Sequence, residues 1–349
     1  MTRGKRATIN DIARETGYSK STISFAFNNP QRIGVDTRKK ILEVADQLGY
    51  IPDPMARNFS LQRHRSIGFL LPQKTEFSIR NPYVYEILVG ISQVCQDASF
   101  TLTLIPPLNE SLSAAVRNAP VDGFIALGMK VDMEIVDVMQ KRQIPYVTID
   151  GVPSADMPSV NIDDETAAYS MMKEVLGFGH RRIAILSLCR DAYYSENADG
   201  VVSRRLRGYS RALAEVGMSL QSEGIMMLES ECNIDEGLKA ADRILDSGFC
   251  PTAVVAMADI LAIACIRRFS AKGIRIPHDV SVVGFDDIGE AAYSNPPLTT
   301  VSQPGAEKGR LAASALLGMI NGKEAENSRI VSQFEVVMRD SLGRPESGK

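Results

Sequence analysis

The chain has no tryptophan, and its five cysteines, Cys95, Cys189, Cys232, Cys250 and Cys265, form no CxxC pair. A zinc site or a disulfide framework needs cysteines at short, paired spacings, so free thiols are expected instead. The three histidines, His64, His180 and His278, stand far apart, and HExxH, GxxxxGK and a GxGxxG following a strand are all absent. Those absences remove the common signatures of metalloproteases, P-loop nucleotide hydrolases and dinucleotide enzymes. No nucleophile–base pair announces itself, so neither an enzyme nor a cofactor or metal is expected. No apolar run approaches the roughly 20 residues of a membrane span, and the opening MTRGKRATIN carries no apolar stretch. A protein that stays in the cytoplasm, away from membranes, is expected.

What is present is ordinary globular material, with 44% hydrophobic and 23% charged residues over a length that suggests two or three domains. Its charge is unevenly placed. Through Arg65 there are 12 Lys and Arg against 6 Asp and Glu, a net of +6, while the remainder carries 27 against 36, a net of −9. A basic head suits phosphate contact, and an acidic body is repelled by a nucleic-acid duplex except where the head holds it.

The head has an internal pattern. In TINDIARETGYSKSTISFAFN, Ile9, Ile12 and Ala13 follow helical spacing, Gly17 interrupts, and Ile23, Ala26 and Phe27 resume it. Thr8, with Asp11 three residues on, and Ser19 each offer a side-chain oxygen to a helix start. Two short helices joined by a tight turn make a helix-turn-helix, whose second helix can enter a major groove. On that helix Ile23 and Phe27 point inward, whereas Ser21 and Phe25 share an outward face with Lys20 at its tip. A third helix is expected over Thr37–Gly49, with Ile41, Val44, Ala45 and Leu48 on one side. Asp53 and Pro54 can then start a helix of only about seven residues, too short to hold alone in water.

From Ile67 the pattern changes to short apolar strands alternating with helices. Strands are expected at Ile67–Leu71, Thr101–Ile105, Gly123–Leu127, Tyr146–Ile149, Ile183–Leu186, Gly224–Leu228, Ala253–Ala256 and Val280–Gly284, with later ones at Thr299–Val301 and Phe334–Met338. Helices are expected at Tyr83–Ala98, Asp132–Lys141, Asp164–Leu176, Arg207–Val216, Asp235–Ser247, Asp259–Lys272 and Glu307–Ile320. Such alternation means parallel sheets covered on both faces, and eight or more strands fit two sheets better than one.

Taken in order, ATINDIARETGYSKSTISFAFN, TRKKILEVADQLGYIPDPMAR, GHRRIAIL, RRLRGYSRAL, IPHDVSVVGFDDI and PPLTTV resemble the LacI/GalR family of bacterial transcription regulators over nearly the whole chain. The resemblance implies a small all-α helix-turn-helix head over 1–50, a hinge helix and linker over 51–65, and an α/β core over 66–343. That core would be two doubly wound parallel-sheet subdomains like those of periplasmic binding proteins, 66–160 with 290–321 and 161–289 with 322–343, crossing near Asn161, Gly289 and Asn321. A homodimer on a pseudopalindromic double-stranded DNA operator, expected to act as a repressor and controlled by a small-molecule effector, is implied with it.

Carried over by position, the base-reading residues fall on Lys20, Ser21 and Phe25. Relatives often have arginine or histidine at the place of Phe25; phenylalanine presses on a thymine methyl instead of reading guanine. Thr8, Ser19, Thr22, Ser24, Asn28, Arg32 and Thr37 match phosphate contacts, although the same hydroxyls can cap helices. Met55, Ala56, Arg57 and Phe59 match the minor-groove segment, with Phe59 in place of a leucine wedge. For the effector, the carboxyl ends of parallel strands favour Asp286 and residues near Asn81–Tyr85, Arg190 and Arg205. The resemblance puts Tyr83, Arg205 and Asp286 against the ligand, expected to be a sugar or sugar derivative. Ala258 and Cys232 depart from the family, standing where relatives have an asparagine and a stacking aromatic. The competing reading, a solute-binding protein of the sugar-transport type, would want an export signal and no head.

Overall fold

A computed structural model describes residues 7–52, 63–71, 79–109, 111–128, 134–152, 157–188, 200–323 and 329–346. The chain divides into two compact units, Met1–Arg65 and Ser66–Lys349.

The head consists of α1 (Ile9–Thr16), α2 (Lys20–Asn28) and α3 (Val35–Gln47). Asp11 accepts from both the N–H and the hydroxyl of Thr8, at 2.9 and 2.7 Å, which fixes the start of α1. Gly17 ends that helix with φ +74°, a left-handed conformation that costs glycine little, so the chain turns at once into α2. Ile12, Ile23, Ala26, Ile41 and Ala45 form the buried centre, and Phe27 closes it against Tyr50 with ring centroids 5.5 Å apart.

The second unit begins with β1 (Ser66–Leu70), α4 (Pro82–Asp97), β2 (Thr101–Ile105), α5 (Leu112–Asn118), β3 (Gly123–Leu127), α6 (Glu134–Lys141), β4 (Tyr146–Ile149) and β5 (Ser159–Asn161). It continues with α7 (Asp164–Gly177), β6 (Ile183–Leu188), α8 (Val201–Ala214), β7 (Ile225–Ser230), α9 (Ile234–Asp246), β8 (Ala253–Ala256), α10 (Asp259–Ala271), β9 (Ser281–Val283) and α11 (Gly289–Tyr293). Last come β10 (Thr300–Ser302), α12 (Gly305–Ile320), β11 (Arg329–Val331) and β12 (Glu335–Val337). The first sheet runs β2-β1-β3-β4-β5-β11 and the second β7-β6-β8-β9, parallel throughout. Side chains alternate between the faces as strand geometry requires. Ile67 and Phe69 pack on α4 and α12, while Leu70 and Phe124 pack towards α5 and α6. In the second sheet Leu186 and Val254 face α9 and α10, and Ile185 and Val255 face α7 and α8.

Three differences from the sequence expectations have physical causes. Helix α8 begins at Val201, six residues before the expected Arg207, because Arg204 and Arg205 are not a polar lead-in; both are buried on its inner face. The three-residue strands β5 and β11 are too short to show a period and are defined by pairing alone, β5 with β4 and with β11, Val331 beside Asn161. Finally, residues 289–302 belong with the second sheet: Ile288 N–H and the Thr300 hydroxyl both donate to Asp259, and the Asp286 N–H donates to Val301 O. The chain therefore crosses after Ser302 rather than near Gly289, and returns after Val331 rather than near Asn321; its first crossing follows β5.

Candidate DNA-reading helix and effector cleft

Helix α2 hides Ile23 and Ala26 and leaves Lys20 and Ser21 exposed. The Ser19 oxygen caps the helix, accepting from Thr22 N–H at 3.1 Å and lying 2.8 Å from the hydroxyls of Ser21 and Thr22. Asn28 donates to Ser24 at 3.2 Å, which ties together two of the expected phosphate contacts one turn apart. Phe25 is half-buried, and the Arg32 guanidinium lies 5.5 Å from its ring centroid, within cation–π range. Lys20, Ser21, Thr22, Ser24, Phe25 and Asn28 thus share one helix, with Arg32 beside it; Thr8 stands at the start of α1 and Thr37 on the first turn of α3, half-exposed. Met55, Ala56, Arg57, Phe59 and Arg190 lie outside the described residues.

The cleft follows from the topology. Each sheet reverses its strand order beside its first strand, and the loops leaving the carboxyl ends of parallel strands open a crevice there. Gly128 follows β3, Asp150 follows β4, Leu188 ends β6, Cys232 lies just beyond β7, Met257 and Ala258 follow β8, and Asp286 lies beyond β9. With Asn81 and Tyr83 at the start of α4, Arg205 on α8, and Gln303 at the second crossing, they line a cleft of about 550 Å³ including its mouth. A crevice at the strand ends with a few convergent polar groups is where small ligands commonly sit. Tyr83, Arg205 and Asp286 therefore line one cleft, and the two departures, Cys232 and Ala258, line it too.

Its electrostatics are those of a built site. Asp164, with no exposed surface, accepts from Arg204 at 2.8 Å and from Arg205 Nε at 3.0 Å, and Arg205 also donates to Met257 O at 2.6 Å. The Arg205 guanidinium lies 3.4 Å from the centroid of the Phe285 ring. Burial pushes the Asp286 carboxyl well above its ordinary value, Arg205 pulls it the other way, and Asp259 adds to the rise. Asp286 and Asp287 both hold positive φ, 127° and 59°, strain of the kind that gathers at ligand sites. Across the cleft Tyr83 donates to Asp150 at 2.5 Å, and Lys308 bonds Asp150, Tyr83 and Gln303.

Asp150, Asp164, Arg204, Gln303 and Lys308 escaped the sequence reading. For Asp150 the signal was a carboxylate directly after the apolar strand YVTI, and for Lys308 a charge at helical spacing from Ala312 and Leu316 on a buried face.

On α4, half-buried Glu86 is raised to about 7 by burial, then by Asp287 and Glu290. The folded protein holds this proton more tightly than the unfolded chain, so the stabilisation is complete below about pH 4.5 and lost as pH rises through about 7. Glu86→Gln should raise stability at pH 8 by about 1 kcal/mol more than at pH 5, a figure reduced because the group is half-exposed to water. Urea titrations at the two pH values would show it; equal shifts would mean that Glu86 ionises normally.

A helix-turn-helix unit and a second unit of two parallel sheets with a cleft between them are the parts of a DNA-binding regulator with a ligand-binding core. Residues 8–53 match the bacterial regulatory proteins of the lacI family, and residues 172–342 match a periplasmic binding protein-like domain. The PurR transcriptional repressor of Vibrio cholerae is 32% identical over 343 residues, 96% of this chain and 98% of its own. Among solved structures, the CelR regulator in complex with cellobiose shares 26% identity with a TM-score of 0.70, covering 97% of this chain and all of that one. A LacI family regulator from Enterococcus faecium with bound ribose shares 26% with a TM-score of 0.69, covering 80% and 99%. The chain belongs to the LacI family: it is a DNA-binding transcriptional repressor with a ligand-binding core, not an enzyme. Among the described residues no helix is long and apolar enough to cross a membrane.

Proposed function

We propose that the repressor's operator affinity is set by a sugar or sugar derivative held between Arg205 and Asp286 on one wall and the Tyr83 ring on the other. The observation that carries this reading is a buried guanidinium and a buried carboxylate lining one small cleft, a donor and an acceptor suited to neighbouring hydroxyls. The cellobiose and ribose found in the two solved relatives support it. A flat heterocycle is served less well, because Cys232 and Ala258 offer no second ring opposite Tyr83. A thermal-shift panel of pentoses, hexoses, disaccharides and nucleobases tests the assignment: a sugar should raise the midpoint. A response to a nucleobase alone would overturn it.

On DNA, Lys20, Ser21 and Phe25 read bases, while Thr8, Ser19, Thr22, Ser24, Asn28, Arg32 and Thr37 hold phosphates. Phe59, with Met55, Ala56 and Arg57, enters the minor groove at the centre of a pseudopalindromic site. The repressor works in the cytoplasm as a homodimer; the edge strand β2, with Leu102 and Leu104 half-exposed, and Tyr293, which is 90% exposed, support the homodimer. Phe25→Arg should change base preference at one or two operator positions by roughly 1–3 kcal/mol. Selection of bound sequences from a random pool would reveal the change; an unaltered consensus would remove Phe25 from the reading face.

A further inference from the structure

A lysine with no exposed surface is unusual in a helix face that is otherwise apolar, as α12 is at Ala312 and Leu316. An apolar residue could fill the same place, so the charge at Lys308 calls for a reason. Its ammonium group has three partners from three elements: the Asp150 carboxylate after β4, the Tyr83 hydroxyl at the start of α4 (2.8 Å), and Gln303 Oε1 at the second crossing (2.9 Å). Gln303 turns its other end, Nε2, to Asp286 Oδ1. A continuous chain of hydrogen bonds thus runs from Asp286 in the second subdomain through Gln303 to Lys308, and from there to Asp150 and Tyr83 in the first.

The Gln303 amide is engaged at both ends, so a ligand donor that takes Asp286 Oδ1 competes with Gln303 Nε2. A buried amide that loses its acceptor must turn to find another, and its carbonyl oxygen then leaves Lys308. Helices α4 and α12 would feel this together. Their backbones touch at Gly90 and Gly309, and Gly305 packs against Tyr83 and Glu86.

We propose that Lys308 is a positioning residue that carries the occupancy of Asp286, through Gln303, to α4 and β4 of the first subdomain. This rests on Asp286 being an effector ligand, but the chain of bonds can be tested with no effector present. Asp286→Ala removes the acceptor from Gln303 much as a ligand would. In the full-length protein, that substitution should speed amide exchange across residues 83–88 and 306–310 by about fivefold or more, local opening that hydrogen exchange reads directly.

The same substitution in a Lys308→Met/Asp150→Asn background, neutral and of similar volume, should change those amides less than about twofold. If Asp286→Ala loosens both helices equally in the two backgrounds, or leaves them unchanged in the natural one, Lys308 is only a counter-charge for Asp150 and the relay is wrong. Should the double variant fail to fold, Gln303→Ala serves as the background, since it cuts the chain one link earlier and keeps the ion pair. Failure of the sugar reading would show in the thermal-shift panel, whereas these exchange rates are measured without any ligand.

Discussion

Asp164→Asn should destabilise the protein by about 3–5 kcal/mol, because it leaves two buried guanidinium groups facing a neutral amide. The native carboxylate has no exposed surface and takes Arg204 on one oxygen and Arg205 on the other. Burial alone would raise its pKa, but Arg205, Arg204 and Lys308 more than offset that and hold it below the ordinary value of 3.8. The sign follows. A depressed carboxyl contributes stability that is present above about pH 4 and lost as pH falls through its folded pKa. Urea denaturation at pH 7 should show the loss, and the variant's stability should fall less steeply than the natural protein's below pH 4. A loss under 1 kcal/mol at neutral pH would mean that the two arginines find other partners.

The same geometry changes what Arg205→Ala would report. Seen only as a ligand contact, its removal would abolish effector binding and spare everything else. With Asp164, Met257 O and the Phe285 ring around it, Arg205 also ties α8 to α7 and to the end of β8. Loss of effector response in that variant therefore needs a stability measurement beside it.

How much of this was legible beforehand depended on whether the signal was periodic or spatial. Gly123–Leu127, Tyr146–Ile149 and Ala253–Ala256 were bounded correctly because a buried parallel strand is a short unbroken apolar run. Gly17 and Ser19 marked the turn and the cap of the head because left-handed backbone and orphan N–H groups ask for those residue types. Asp286 was findable as a carboxylate beyond a strand end. Lys308, Asp164 and Arg204 were not, since a charge on a buried face is intelligible only once its partner is known, and those partners lie 158, 40 and 40 residues away in the chain. Strands β5 and β11 failed for a related reason: three residues show no period, and each is a strand because of the chain that runs beside it, β4 and β11 for β5 and β5 for β11.

Two glycines of α4 and α12 should respond to alanine with opposite signs. At Gly90, a β-carbon would sit well inside the carbonyl oxygen of Ala306 and 2.8 Å from Arg310 N, backbone atoms that cannot turn aside. Alanine normally gains about 1 kcal/mol over glycine in a helix interior. Here that gain is outweighed by prising apart two helices in backbone contact, an overpacking cost of about 3 kcal/mol or more. Since α12 carries Lys308 and α4 carries Tyr83, the same displacement should weaken the cleft wall and any ligand held there. At Gly318, near the end of α12, the nearest atom to a β-carbon is the flexible Lys323 side chain at 4.0 Å, so alanine meets open space. Gly318→Ala should therefore stabilise by up to about 1 kcal/mol through propensity alone. Thermal or urea unfolding of the pair would check both, and Gly90→Ala as mild as Gly318→Ala would mean that the helices do not touch where the structure brings them together.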